Sequence, residues 1–260
     1  MLKHRVIPLL SLDNYKLIKT LRFKNPQYIG DPINAIHIFN EKEVDEIIII
    51  DITASKENRE PNFDLIEEIA GECYMPLTYG GGIRSVEDVD RILSIGVEKV
   101  SLQSSIIKNP NFINDLAKRF GSQSIVVSVD VKKNWLGKLK YFVAAKESTL
   151  ELDLINLIKD LVNAGAGEVL LNAVDKDGTL SGPDLEMIKQ VSNSIEVPII
   201  ACGGISSLED IKAAVEVGAS AVAAGSFFVY YGPHRAVLIS YPKYHELEQL
   251  FSYINKNSNE

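Results

Sequence analysis

Residues 198–227, PIIACGGISSLEDIKAAVEVGASAVAAGSF, decide the fold because residues 76–105, PLTYGGGIRSVEDVDRILSIGVEKVSLQSS, are an earlier copy of them. The copies align without a gap at a spacing of 122 residues. They share Pro76/Pro198, Gly81/Gly203, Gly82/Gly204, Ile83/Ile205, Ser85/Ser207, Glu87/Glu209, Asp88/Asp210, Gly96/Gly218, Val100/Val222 and Ser104/Ser226. The same offset relates Glu46 to Glu168, each at the head of an apolar run, so one half of the chain is a copy of the other.

Each copy predicts a strand, a glycine turn, an amphipathic helix and a second strand. The strands are apolar at consecutive positions, which is typical of parallel strands buried on both faces. Four strand and helix units per half give a (β/α)8 TIM barrel of the α/β class, built as a half-barrel repeat. The usual length of such a barrel is about 250 residues, so residues 1–260 are predicted to form a single domain.

The glycine turns after PLTY and PIIA are predicted to lie on the face of the barrel where ligands bind, since they follow strands. Backbone N–H groups left open by glycine at the start of a helix favour a phosphate. Two such turns in opposite halves predict a small ligand with a phosphate at each end. The alternative is that these glycines only form tight turns.

Composition limits the classes of partner. The net charge of −8 without a basic block argues against nucleic acid and against a membrane surface. Cys73 and Cys202 lie far apart and have no metal-ligand spacing, which predicts a reducing, cytoplasmic location. The start of the chain has too short an apolar run for a signal peptide or a membrane span. The four histidines also lack ligand spacing, so we predict no metal and no cofactor.

Further features are predicted at the mouth of the barrel. Residues 11–32 are predicted to be a long polar loop that carries Lys19 and acts as a lid or grips the ligand. Asp51 and Asp130 directly follow buried strands; for Asp51, anchoring of neighbouring loops is the alternative to ligand contact. The aromatic tail, residues 230–242, is predicted to pack over the mouth.

The motifs DITAS, GGGIRS, FGSQ and DKDGT, read with the two glycine turns, resemble the cyclase subunit of imidazole glycerol-phosphate synthase, the HisF family. The resemblance covers about residues 1–228. It implies a barrel that pairs at its bottom face with a HisH-like glutamine amidotransferase and receives ammonia from it. In that family the ammonia meets a two-phosphate ribulosyl substrate, which is split and closed to imidazole glycerol phosphate and an aminoimidazole carboxamide ribotide.

The resemblance assigns roles to residues by position. One phosphate site, here called the first cradle, comprises Gly82, Gln103 and Ser104, although the family usually has Asn at the position of Gln103. The other, the second cradle, comprises Asp177, Gly178, Gly204, Gly225 and Ser226. Lys19 matches the lysine of a mobile loop, although the glycines of that loop are missing. Asp130 matches one of two catalytic aspartates.

The second catalytic aspartate of the family is replaced by Ser11. Serine cannot ionise near neutral pH, and Asp13 would reach the site only if the end of the strand were rebuilt. Losing a positioned acid typically costs ~10²–10⁴ in rate. Cyclase turnover therefore depends on a replacement for this acid. A sugar isomerase with two phosphate sites is a separate, less favoured alternative.

At the strand starts, Arg5, Glu46, Lys99 and Glu168 match the charged ring that gates ammonia entry in the family, and Glu98 replaces the docking acid. A structural salt-bridge plug is the alternative. The chain thus combines the residues of ammonia delivery with an altered reaction centre. In this combination it resembles the HisF-like proteins associated with glycosyl amidation in surface polysaccharide pathways. In those pathways a third enzyme accepts the ammonia. The other hypothesis is a genuine lyase and cyclase of histidine synthesis.

Overall fold

Eight parallel strands form the centre of the computed structural model, which describes residues 4–109 and 111–257. In chain order the barrel strands are β1 (Arg5–Asp13), β4 (Ile47–Asp51), β5 (Leu77–Gly80), β6 (Lys99–Leu102), β7 (Ile125–Lys133), β10 (Glu168–Ala173), β11 (Ile199–Cys202) and β12 (Ala221–Ala224). Each pairs with its neighbours in parallel, and β1 pairs with both β4 and β12. The sheet is therefore closed, and the predicted barrel is confirmed.

Helices cover the outside of the barrel. They are α1 (Pro32–Glu41), α2 (Phe63–Glu72), α3 (Val86–Ser94), α4 (Ser104–Lys108), α5 (Asn111–Phe120), α6 (Leu154–Asn163), α7 (Leu185–Ser192), α8 (Leu208–Glu216), α9 (Ser226–Val229) and α10 (Tyr244–Asn257). Among the residues with a described structure, none of the helices is long and apolar enough to cross a bilayer.

The repeat is visible in the helix caps. Ser85 caps α3 by accepting a hydrogen bond from Asp88 N, and Ser207 caps α8 by accepting one from Asp210 N, both at 3.1 Å. These serine and aspartate pairs are 122 residues apart. Side-chain caps satisfy N–H groups that a helix leaves open at its start, so both halves begin this helix by the same means.

The core has two parts. A large cluster lies between the strands and the helices, and a smaller one fills the inside of the barrel. The inner cluster contains Ile7, Ile48, Val126, Leu170, Ile200, Cys202, Ala221 and Ala223. These side chains lie between the charged residues at the amino ends of the strands and the cavity at the carboxyl ends.

The prediction that residues 11–32 form a long loop is wrong. β1 continues to Asp13, and residues 16–30 form the antiparallel strands β2 (Lys16–Leu21) and β3 (Lys24–Gly30). Leu17 and Ile18 are buried in this hairpin, which explains why the segment is ordered as strands. A second extension after β7 forms β8 (Leu139–Val143) and β9 (Ser148–Leu150).

The tail packs over the mouth only in part. Its short strands β13 (Tyr230–Tyr231) and β14 (Ala236–Val237) lie near the mouth, where Arg235 Nη2 donates to Gly178 O at 2.6 Å. Tyr241, however, donates its hydroxyl to Val6 O at 2.8 Å, at the start of β1. The tail therefore runs down the side of the barrel from one end to the other.

Candidate functional site

A cavity of about 260 Å³ opens at the carboxyl ends of the strands. Its walls come from the barrel strands, the β2–β3 hairpin and the segment that follows β8. Ser11, Lys19, Asp51, Gly82, Gln103, Ser104, Asp130 and Asp177 all line it. Residues predicted from distant parts of the sequence are thus brought together at the predicted face.

Asp130 is buried at the cavity and is held by two side-chain amides. Gln103 Nε2 donates to Asp130 Oδ2, and Asn172 Nδ2 donates to Asp130 Oδ1 at 3.1 Å. Burial raises the pKa of Asp130 to about 7, against the opposing effect of these hydrogen bonds. A carboxyl group that titrates near neutrality can take up or release a proton there.

Ser11 lines the same cavity, whereas Asp13 is outside its lining. In β1, Ser11 pairs with Ile18 of β2 and with Ile50 of β4, so its backbone is fixed on both sides. Asp13 lies at the turn between β1 and β2, where its carboxylate accepts a hydrogen bond from the Asn14 side chain at 3.1 Å. The strand end is therefore not rebuilt in the way that would bring Asp13 to the reaction centre.

Lys19 forms a buried ion pair with Asp177. Its Nζ lies 2.9 Å from Asp177 Oδ1 and 3.2 Å from Oδ2. Arg22 N also donates to Asp177 O at 2.9 Å, so the hairpin is tied to the turn that follows β10. The turn between β2 and β3 places Phe23 against Phe142 of β8, with ring centroids 6.0 Å apart. The hairpin thus forms one wall of the cavity.

The glycine turns approach neighbouring backbone too closely for a side chain. A Cβ at Gly81 would lie 2.2 Å from Asp51 O, and one at Gly203 would lie 2.6 Å from Ala173 O. Both glycines have a positive φ. The contacted carbonyls, at Asp51 and Ala173, are themselves related by the 122-residue offset, so the two turns are built alike.

Two members of the first cradle, Gly82 and Gln103, are hydrogen-bonded within the protein. Gly82 N donates to Ser55 Oγ at 3.3 Å. Gln103 Oε1 accepts from Ala144 N at 3.1 Å, which directs Nε2 of the same amide to Asp130. Ser104 begins α4 and lines the cavity.

The second cradle surrounds a small hollow that shares Asp177 and Cys202 with the main cavity. Gly178, Gly204, Gly225 and Ser226 line this hollow. Ser226 is 4% exposed, and its Oγ has no hydrogen-bond partner among the described residues. A buried polar atom without a partner is costly, so Ser226 Oγ indicates a place for a ligand atom.

Asp51 is occupied as a loop anchor. Its Oδ1 accepts from Thr53 N at 3.1 Å and from Ala54 N at 2.9 Å, and Arg59 Nη1 donates to Oδ2 at 3.2 Å. These bonds order the segment after β4, which then contributes Ser55 and Lys56 to the cavity wall.

The opposite end of the barrel carries a closed ring of alternating charges. Arg5 donates to both Glu46 and Glu168. Lys99 Nζ lies 3.1 Å from Glu46 Oε1 and 3.0 Å from Glu168 Oε2. Both acids are buried, and Thr78 donates to Glu46 at 3.1 Å. The four residues that the resemblance assigned to a gate therefore meet at the barrel axis.

Three residues at the site were missed by sequence reasoning. Asn172 ends the EVLLN run, and its position directly after a buried strand could have indicated a cavity residue. Arg235 and Glu147 carried no usable signal, because their positions depend on how the tail and the extension after β7 fold back onto the mouth.

The fold and the site define a TIM barrel with its cavity at the strand ends and a charged ring at the strand starts. Comparison with known proteins names the family. The family profile described as "Histidine biosynthesis protein" matches residues 5–234. The chain belongs to this family, among the HisF-like subunits of imidazole glycerol phosphate synthase.

Several relatives are similar over nearly the whole chain. The Pseudomonas aeruginosa protein provisionally named imidazole glycerol phosphate synthase subunit hisF2 is 47% identical, covering 95% of this chain and 99% of that protein. A Leptospira borgpetersenii protein with a similarly provisional HisF name is 48% identical, covering 96% of this chain and 100% of the relative. The Streptococcus mutans imidazole glycerol phosphate synthase subunit HisF is 40% identical, covering 88% of this chain and 92% of that protein.

Proposed function

We propose that this chain receives ammonia from a HisH-like glutamine amidotransferase and delivers it to an acceptor other than the ring-closing substrate of histidine synthesis. The acceptor reaction that fits the resemblance is amidation of a surface-polysaccharide sugar by a third enzyme. The observation that carries the proposal is the pair of side chains at the reaction centre. Ser11 and Asp130 line one cavity, while Asp13 stays outside it.

With Ser11 at the position of the second catalytic aspartate, one of the family's two proton-transfer groups is missing. Ring closure in the family uses one acid to give a proton and another to take one, on opposite sides of the mouth. A serine hydroxyl remains protonated near neutral pH, so it cannot serve as the second acid or base. Asp130, the acid that remains at a family position, has a pKa that burial raises to about 7.

Acceptance of ammonia at the cavity is supported by two buried polar atoms in the cavity lining. Ser101 Oγ and Asn172 Oδ1 are buried without hydrogen-bond partners in the described part of the chain. Both residues line the cavity. Ammonia both donates and accepts hydrogen bonds, so it can satisfy each of these atoms as it passes.

The alternative is a working lyase and cyclase of histidine synthesis. It is favoured by the buried Asp130, which occupies the family position and has a pKa of about 7. In that case another group, or an ordered water held by Ser11, replaces the missing acid.

Binding of a HisH-like glutaminase tests the delivery hypothesis. Titration calorimetry with the purified full chain is expected to give a 1:1 complex, and Glu98→Lys should weaken it at least tenfold. Glu98 is exposed beside Lys99, at the ring end of the barrel. Trp135→Ala, an exposed change in the extension after β7, is the matched control and should leave the affinity unchanged. Failure to form any complex would contradict the proposal.

A further inference from the structure

We infer that Gln103 is a positioning residue for Asp130, and that its side-chain amide joins this carboxylate to the cavity wall formed by the segment after β8. This role rests on the proposed function in one respect, because both treat Asp130 as the remaining proton-transfer group of the cavity. The test below uses neither a substrate nor the glutaminase. Failure of this role is therefore distinct from failure of the proposed function.

Gln103 stands at the start of α4 but does not cap this helix. It is the N-cap residue and makes no side-chain cap bond, although short polar side chains at this position usually accept a hydrogen bond from the first turn. Asn, which the family usually has here, is one of those short side chains. Gln is longer by one methylene group, so its amide reaches away from the helix and towards the cavity wall.

The Gln103 amide fits between two acceptors and one donor. Its Nε2 donates to Asp130 Oδ2 and lies 3.4 Å from Phe142 O, while Oε1 accepts from Ala144 N at 3.1 Å. The opposite orientation of the amide would place Oε1 against two oxygens and Nε2 against an N–H group. The orientation in the structure therefore satisfies every partner, and it presents a donor to the carboxylate.

The bonds from Gln103 to the wall begin where a strand ladder ends. The last pair of the β7–β8 ladder is Val131–Tyr141. Gln103 bonds to the backbone just beyond it, at Phe142 O and Ala144 N, in the way that a neighbouring strand would. Phe142 and Ala144 both line the cavity. One side-chain amide therefore holds this wall against the carboxylate.

Asp130 is held from its other side by Asn172. Asn172 Nδ2 donates to Oδ1 at 3.1 Å, while Gln103 donates to Oδ2. Two hydrogen bonds to different oxygens fix both the position and the rotation of the carboxyl group. Because each donor favours the charged form, loss of either one should make Asp130 bind a proton more tightly. Loss of Gln103 should also release the cavity wall, whereas loss of Asn172 should not.

Other ionisable groups face Asp130 from the neighbouring elements. Asp177, after β10, opposes the charged form of Asp130, whereas Lys132 of β7 favours it. Tyr141 of β8 and Cys202 of β11 are close enough to be affected by its charge. Burial raises the pKa of Cys202 to about 12 and the pKa of Tyr141 above its ordinary value, so both stay neutral while Asp130 titrates. Substitution at position 103 alters none of these groups.

The proton affinity of Asp130 and the hydrogen exchange of the Ala144 amide are the two readouts, both measured by NMR on the full chain. The ¹³C signal of the carboxyl group, assigned with Asp130→Asn, follows the first from about pH 5 to pH 9. In Gln103→Leu, Asp130 should bind its proton about tenfold more tightly and the Ala144 amide should exchange about tenfold faster. Gln103→Glu keeps an acceptor for Ala144 N but places a carboxylate against Asp130, so the proton affinity alone should rise.

Two matched variants separate positioning from general loosening of the cavity. Asn172→Leu should raise the proton affinity of Asp130 and leave exchange at Ala144 unchanged. Ser105→Ala, in the cavity lining, removes a hydroxyl that is not hydrogen-bonded to Asp130 in the described structure, and it should change neither readout. An unchanged proton affinity in either Gln103 variant would overturn the inference. Faster exchange at Ala144 in Asn172→Leu or in Gln103→Glu would overturn it as well.

Discussion

Gln103 donates its side-chain amide to the carboxylate of Asp130, across adjacent strands β6 and β7. Asn172 approaches the same carboxylate from the other neighbouring strand, β10. The carboxyl group of Asp130, whose pKa burial raises to about 7, is thus fixed from both sides. Its protonation should be measurable in the stability of the whole chain.

Asp130→Asn should change how the free energy of unfolding depends on pH. Burial raises the folded pKa of Asp130 to about 7, above its unfolded value. The favourable contribution of the protonated form is complete below about pH 4 and is lost as the pH rises to about 7. Relative to the variant, the native chain should lose up to about 4 kcal/mol across this range.

Urea unfolding at pH 4.5 and pH 8 measures this difference. Hydrogen bonds altered by the amide add an offset that does not vary with pH, so the change between the two pH values is the readout. Ser11→Ala, in the same cavity, removes no ionisable group and should show no such change. A pH-independent difference for Asp130→Asn would contradict the raised pKa.

Lys99→Met should destabilise the chain by about 1–3 kcal/mol, because among the described residues it leaves Arg5 as the one cation paired with the buried Glu46 and Glu168. Lys212→Met removes a half-buried lysine whose Nζ lies 3.7 Å from Glu216 Oε1. As the control it should cost less than about 0.5 kcal/mol. Urea denaturation at neutral pH measures both, and equal costs would show that the ring contributes no more than a surface pair.

Ser85→Ala and Ser207→Ala should have nearly equal effects, since both remove the same cap at equivalent positions of the two halves. Each is expected to cost about 1 kcal/mol and lower Tm by about 2–4 °C. Ser94→Ala, near the end of α3, should stay within about 0.5 kcal/mol. Thermal unfolding measures all three. A loss at one cap alone would show that the two halves do not use the repeat in the same way.

The barrel could be predicted because its determinants are local and occur twice. Apolar strands, glycine turns and capping serines recur at one offset, so each half supports the interpretation of the other. The charged ring was reached through the resemblance, and the structure confirms that its four members meet.

The hairpin after β1 escaped prediction because its turn lacks the usual signal. Arg22 and Phe23 both have a positive φ, at positions where hairpins favour Asn-Gly. The bond between Gln103 and Asp130 also depends on strand register, which a single sequence does not specify. Both features are contacts between segments, and both shape the cavity rather than the fold.

Turnover of the two-phosphate histidine-pathway substrate with excess ammonium, by the native chain and by Ser11→Asp, distinguishes an ammonia-delivery subunit from a working cyclase. We expect native turnover at least about 10²-fold below that of the variant, because a positioned acid is missing. Native turnover at ordinary enzyme rates, around 1–10³ per second, would contradict it. In that case the chain would be a working cyclase in which another group replaces Ser11.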